Sequence, residues 1–293
     1  MENNDCKLIE IKQKLPGFNK FIGSWFYSGD INFVVDVGPA NSVFRLIEAL
    51  TEMKVETVDY VFLTHIHIDH AGGLARFLAH FPMAKVICHE KGIKHLVDPE
   101  KLWEGSAKVL GEIAELYGRL SPVEENYFIS QHNAPNKDIV VIETPGHAPH
   151  HLSFVYNGYL FVGEAGGNYL NVRGKDYLRP ATPTRFHLTT FLNSIETLSQ
   201  LEDMQICYAH FGKADSSHEM LKRIRDQILN WEKIICRERS SDANDLMERC
   251  VKRLLSEDPE LNAFQHLKSM VQKRELFFIQ NSIRGYLQYL ENR

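Results

Sequence analysis

Thr64-His65-Ile66-His67-Ile68-Asp69-His70-Ala71-Gly72-Gly73 packs three histidines and an aspartate into six consecutive residues. An apolar run, residues 58–63, precedes the stretch and reads as a buried strand. A run carrying Leu74, Phe77 and Leu78 follows it and reads as a helix. On an extended strand end, residues two apart point the same way, so His65 and His67 can grip one ion together. Where the chain turns into the helix, Asp69 and His70 aim in a new direction and can hold a second ion beside the first. Imidazole with carboxylate suits zinc, iron or manganese, and the lack of thiolates argues against a purely structural zinc. Gly72 and Gly73 are expected to let the helix start come close to a bound group.

One loop cannot complete the shells of two ions, so further ligands are expected at other strand ends. Three candidates stand just after apolar strands. Thr144-Pro145-Gly146-His147 follows a strand at 138–143, Gly163-Glu164 follows one at 159–162, and His210-Phe211-Gly212 follows one at 205–208. His150 and His151 share the His147 loop; they can orient ligands from behind, although a structural role is favoured for both. The other histidines lack ligand spacing.

The HxHxDH loop, TPGH, the glycine-acid pair after a hairpin and the final His-x-Gly, in this order, resemble the metallo-β-lactamase-fold hydrolases of the glyoxalase II-like and lactonase-like branch. Val35-Asp36-Val37-Gly38-Pro39 is similar to that family's opening strand and loop. The resemblance covers about residues 7–212. It implies an α/β fold, an αββα sandwich with metals at one edge, here with a C-terminal helical extension. It implies His65, His67 and His147 around the first metal and Asp69, His70 and His210 around the second, with residue 164 between them. The family usually has aspartate at that bridging place, and this chain has Glu164, which reaches one methylene farther.

The same resemblance implies two divalent ions, zinc foremost with iron or manganese as alternatives. They would generate a hydroxide at neutral pH that attacks an acyl carbon, with the second ion steadying the oxyanion. Asp69 would position the water or shuttle a proton. An ester, thioester or lactone is the expected substrate, a small molecule. Tyr169 is a candidate donor to a substrate oxygen, and Arg179 a candidate partner for a substrate carboxylate. The alternative is an iron-dependent oxidoreductase, similar to persulfide dioxygenases, built on the same residues. Oxygen-reducing relatives carry a flavin domain and usually a glutamate at the His67 position, so they fit less well.

The rest of the chain frames this centre. With 293 residues, 44% hydrophobic and 24% charged, the composition is that of an ordinary soluble globular protein, long enough for a sizeable core. The net charge is −5, and no basic run is present to hold nucleic acid. No stretch approaches the ~18 apolar residues of a membrane span. The opening MENNDCKLIEIKQKL lacks a signal-peptide pattern. The five cysteines are widely spaced, with no CxxC. Together these predict free thiols and a cytoplasmic protein.

Residues 21–37 read as a hairpin turning at Ser28-Gly29-Asp30. Asn41 reads as the cap of a helix with Val43, Leu46, Ile47 and Leu50 on its apolar face. Residues 85–88 read as a strand and 102–120 as one long helix with Val109, Ile113 and Leu116 on a face. Asn157-Gly158 marks a second hairpin, and 188–201 a helix. Two sheets with helices outside follow from this pattern. After residue 216 strands vanish, and Met220, Ile224, Ile228, Trp231 and Ile235 recur at helical spacing. The expected division is a catalytic domain at 1–215 and a helical region at 216–293, which either covers the site or makes a homodimer.

Overall fold

The computed structural model describes residues 5–240 and 245–292. Residues 1–4, on which the reading of the N-terminus partly rests, and residues 241–244 and 293 of the tail lie outside the described residues. The first sheet runs in spatial order β1 (Asp5–Glu10), β2 (Gly23–Ser28), β3 (Phe33–Val35), β4 (Tyr60–Phe62), β5 (Lys85–Cys88) and β6 (Phe128–Ser130). β1, β2 and β3 pair antiparallel, and β3 through β6 pair parallel. The second half supplies β7 (Val140–Glu143), β8 (Leu152–Tyr156), β9 (Tyr159–Gly163), the separate ribbon of β10 (Asn168–Val172) and β11 (Lys175–Arg179), and then β12 (Gln205–Tyr208) and β13 (Lys213–Ala214). The second sheet is ordered β13-β12-β9-β8-β7.

Side chains alternate across a strand, and both faces of central strands such as β3, β4 and β9 are buried. On β4, Phe62 points into the gap between the sheets, while Val61 and the following Leu63 face outward under helices. On β9, Phe161 points into the gap, while Leu160 and Val162 face the other way. The gap is filled largely by aromatic rings. Phe62 of one sheet stacks on Phe154 of the other with centroids 4.8 Å apart. Truncating such a ring to alanine costs about 3–5 kcal/mol. At the rim the sheets touch directly, because Leu152 N–H donates to the Thr64 carbonyl at 2.7 Å.

Helices cover both outer faces. The first sheet carries α1 (Phe44–Glu52), α2 (Ile68–Ala71), α3 (Leu74–His80), α4 (Glu90–Val97), α5 (Glu100–Leu110) and α6 (Glu112–Tyr117). The second carries α7 (Leu188–Ser199), α8 (Ser217–Arg239), α9 (Leu246–Glu257) and α10 (Ser269–Glu291). The result is the αββα sandwich. The helical stripe Met220, Ile224, Ile228, Trp231 and Ile235 is buried, and it shares one hydrophobic cluster with Leu160, Val162, Ile206 and Tyr208 of the second sheet.

Three local readings are corrected. Residues 102–120 are not one helix: Gly111, at φ 56°, separates α5 from α6. Val109 and Leu116 lie outside the core, at 55% and 45% exposure. Asn41 does not cap α1; the α1 cap residue is Val43, and the Asn41 amide instead donates to the carbonyls of Glu115 and Leu116 in the last turn of α6. Gly72 and Gly73 make room for backbone and side chain, not for a bound group. A Cβ on Gly73 would stand 2.3 Å from Val43, and one on Gly72 would stand 3.0 Å from Ala40 N. Strands β1 and β6 and the β10–β11 ribbon carried no clear sequence signal.

Candidate metal centre

All seven expected ligand residues meet at one rim of the sandwich, where β4, β7, β9 and β12 end. They form two groups, His65-His67-His147-Glu164 and Asp69-His70-His210, and within each group the ligand atoms lie within 4.8 Å of one another. In the first group His65 Nε2 is 2.9 Å from His67 Nδ1, and His147 Nε2 is 3.0 Å from the same atom. Glu164 Oε2 lies 3.3 Å from His65 Nε2 and 2.8 Å from His147 Nε2. Ligands about 2.0–2.1 Å from a tetrahedral ion stand about 3.3 Å apart, so this cage has the dimensions of such a shell, slightly contracted.

The second group is looser. Asp69 Oδ2 lies 3.8 Å from His70 Nε2 and 3.6 Å from His210 Nε2. Glu164 reaches this group as well: Oε2 is 3.6 Å from His70 Nε2 and Oε1 is 3.6 Å from His210 Nε2. The carboxylate therefore sits between both groups despite its extra methylene.

The backs of the rings are held. Asp36 is buried with a left-handed backbone, φ 58°, a conformation aspartate tolerates. Its carboxylate accepts from the Thr64 backbone N–H and hydroxyl, both at 2.8 Å, and bonds His70 Nδ1 at 2.8 Å. Thr64 Oγ1 in turn meets His65 Nδ1 at 3.0 Å. His147 Nδ1 donates to the Ala181 carbonyl and His210 Nδ1 to the Phe21 carbonyl, each at 2.9 Å. A proton kept on Nδ1 leaves the Nε2 lone pair facing inward, as a ligand needs.

His151 is fully buried; its Nε2 accepts the Glu164 backbone N–H at 3.0 Å, and its Nδ1 pairs with Thr144 Oγ1 at 2.8 Å. Gly163 makes that approach possible, since at φ +59° a Cβ there would lie 2.5 Å from His151 Nε2. The structural role expected of His151 is thus a role in holding Glu164. His150 lies at the rim, its ring 6.0 Å from that of His67.

Charge within the cluster is finely divided. Burial, with the neighbouring histidines, pushes His65 and His67 well below the usual imidazole range. Burial also lowers His210. For His70 burial is outweighed by Asp69 and Asp36, and its pKa is raised well above the ordinary value. For His147 burial is outweighed by Glu164, and its pKa is raised. Burial pushes Glu164 up, but His147 and His210 outweigh it and hold the carboxyl well below its ordinary range. A buried carboxylate needs positive partners; the surrounding imidazoles supply them here, and a divalent ion held by the same residues would supply them when bound. His70 Nε2 is buried without a hydrogen-bond partner. Seven oxygen and nitrogen donors, a buried anion between two groups and an orphaned nitrogen aimed among them fit a pair of divalent ions.

Tyr169 and Arg179, the candidate substrate residues, have partners elsewhere. Tyr169 Oη donates to Asp176 at 2.8 Å. Arg179 is 3% exposed, and its Nε donates to Glu275 at 2.6 Å. Asp36 was visible in the sequence only as part of the stretch similar to the family's opening strand and loop, without a role of its own, and Thr64 only as the residue before the first histidine. An acid or hydroxyl interrupting an apolar strand end, beside a ligand loop, is the signal that finds them. Cys6, Cys88, Cys207 and Cys250 are free thiols. No helix among the described residues is long and apolar enough to cross a membrane.

The fold finds counterparts in known proteins. A metallo-beta-lactamase fold-containing protein of Sulfurisphaera tokodaii is 29% identical over 215 residues, 70% of this chain and 77% of its own length. A hydroxyacylglutathione hydrolase of Salmonella paratyphi A is 29% identical over 190 residues, 64% of this chain; this chain spans 60% of that protein. A crystal structure of an archaeal metallo-beta-lactamase superfamily protein from Sulfolobus tokodaii superposes with a TM-score of 0.70 at 23% identity, covering 96% of this chain and 98% of its own. Residues 21–210 match the metallo-beta-lactamase superfamily, and with the ligand loop, the sandwich and the rim site in agreement, the chain belongs to that family.

Proposed function

We propose that this chain is a dinuclear metal-dependent hydrolase that cleaves an ester, thioester or lactone of a small molecule. The observation that carries the reading is the position of Glu164, whose two oxygens reach both ligand groups. In the proposal His65, His67 and His147 hold one ion, Asp69, His70 and His210 the other, and Glu164 bridges. A thioester has particular support, because one relative is named a hydroxyacylglutathione hydrolase.

When bound, such ions polarise an acyl oxygen and acidify water. The chain's own residues do the rest. The backs of four histidines are fixed by Thr64, Asp36, Ala181 and Phe21, so the ligands need no rearrangement as charge develops. His67 and Asp69 are the half-buried members of the set, whereas the other ligands are buried. Substrate therefore approaches on the His67 and Asp69 side. The Asp69 carboxylate is there to position an attacking water and to shuttle its proton.

Metal analysis of protein purified without added metal, followed by a panel of esters, thioesters and lactones, tests the reading. Two ions per chain and hydrolysis of one class support it. Iron as the sole metal, with oxygen uptake on a persulfide and no hydrolysis, would replace it by the oxidoreductase reading.

A further inference from the structure

The inward face of α10 carries two charged residues, Arg274 and Glu275, at 3% and 1% exposure. Glu275 Oε2 accepts from Arg179 Nε at 2.6 Å and from the Tyr177 hydroxyl at 3.1 Å, and Oε1 accepts from Arg274 Nε at 2.8 Å. A buried Arg-Glu-Arg triad is a poor way to gain stability. Desolvating the charges offsets most of their attraction, and apolar side chains of the same volume serve as well. What charged groups add is direction, and this triad points two ways.

In one direction, Arg274 Nη1 donates to the Gly17 carbonyl at 2.7 Å and the Asn19 carbonyl at 3.2 Å, and its guanidinium lies over the Phe21 ring at 4.4 Å. Phe21 stacks on His210 at 4.5 Å, and its carbonyl accepts the His210 Nδ1 proton. In the other direction, Arg179 leads into Pro180 and Ala181, and the Ala181 carbonyl accepts the His147 Nδ1 proton. α10 grips this segment along its length. Ser282 Oγ donates to the Pro180 carbonyl at 3.3 Å, Gly285 lets the helix approach the Thr182 carbonyl, and Gln288 accepts from the Arg185 N–H at 2.8 Å. These residues recur at three- and seven-residue spacing, so one face of the helix does all of it.

We propose that α10, through the Arg274–Glu275–Arg179 triad, is the positioning element of the metal centre. Its Arg274 arm fixes His210 in one ligand group and its Arg179 arm fixes His147 in the other. The inference rests on the dinuclear reading above. It gives the C-terminal helix a task in metal binding although α10 supplies no ligand.

The test uses the full chain. Arg274→Met and Arg179→Met are stripped of metal and titrated with cobalt(II), following the absorption spectrum and competition with a chelator. Thermal unfolding of the metal-free forms is measured alongside. Arg274→Met is expected to weaken the looser of the two binding steps about 10- to 100-fold, the usual effect of losing a group that orients a ligand. Arg179→Met is expected to weaken the tighter step by a similar factor. Each is expected to alter the cobalt spectrum. Arg274→Lys keeps the charge but not the fork that spans Glu275 and two carbonyls. It is expected to fall between wild type and Arg274→Met, and it carries the test if the methionine variant does not fold. Lower stability of the metal-free variants with unchanged cobalt affinity and spectrum would overturn the inference and leave the metal centre standing. Wild-type protein that takes up no cobalt would overturn the dinuclear reading itself, and the role of α10 with it.

Discussion

His151 holds Glu164 by its backbone: the Glu164 N–H donates to His151 Nε2 at 3.0 Å from thirteen residues away. Burial keeps this imidazole well below its ordinary pKa, so it is neutral, with its proton on the Nδ1 that faces Thr144. Replacing His151 by leucine is expected to strand a buried N–H, costing about 1–3 kcal/mol of stability. Metal affinity should also fall about 10- to 100-fold, because Glu164 loses its anchor. Glutamine at this place offers a carbonyl acceptor and should restore part of both. Calorimetry and chelator competition on the two variants check this; leucine with normal metal affinity would show that Glu164 needs no anchor.

Glu164 supplies the charge between the two ligand groups. Two cations a few ångströms apart repel strongly in a poorly solvated site, and a carboxylate between them offsets that repulsion. Glu164→Gln keeps the size and removes the charge. It is expected to lose the ion of the Asp69-His70-His210 group first, with a sharp fall in hydrolysis. Glu164→Asp should be milder. Metal analysis decides, and two tightly held ions with normal turnover in the glutamine variant would rule out a bridge.

His67 Nδ1 is the atom on which the first group closes, about 3 Å from both His65 and His147, at 2.9 and 3.0 Å. His67→Ala should remove most of the bound metal. The loss of activity should exceed the ~10–100-fold that follows removal of a group behind a ligand. Full metal content in this variant would sink the ligand assignment.

Tyr117 is 2% exposed, and its hydroxyl has no hydrogen-bond partner. An unpaired buried hydroxyl is destabilising, so Tyr117→Phe is expected to gain about 1 kcal/mol. In a chain of 293 residues that is a rise of about 1.5–2 °C in melting temperature. A lower melting temperature would mean that the hydroxyl is satisfied in solution.

Most of the candidate site was legible because the residues that meet there are coded locally. Each stands just past an apolar strand, and strand ends at one rim of a sandwich must converge. The groups behind the ligands are a different matter. His147 meets Ala181 and His210 meets Phe21 through backbone carbonyls 34 and 189 residues away. A carbonyl has no letter in the sequence. Arg274 and Glu275 carry no signal in the sequence, since apolar periodicity cannot find a charged pair that faces inward. The break at Gly111 was missed for a related reason: Val109, Ile113 and Leu116 keep helical spacing across a residue whose left-handed turn only the fold reveals. The layered architecture was legible, whereas short edge strands such as β6, only three residues long, lacked a pattern to read.

The rim contact between residues 67 and 147 spans 80 positions of chain, and both sheets must be docked before it exists. Such long closures form late in folding. The stretch 65–70 can catch an ion in the unfolded chain, but the closed shell exists only on the docked sandwich, so most of the binding energy is expected after the rate-limiting barrier. Metal should then leave the refolding rate nearly unchanged and slow the unfolding rate in proportion to site occupancy. The centre would serve as a latch on the finished sandwich, setting how long the native state lasts and not how quickly it is reached.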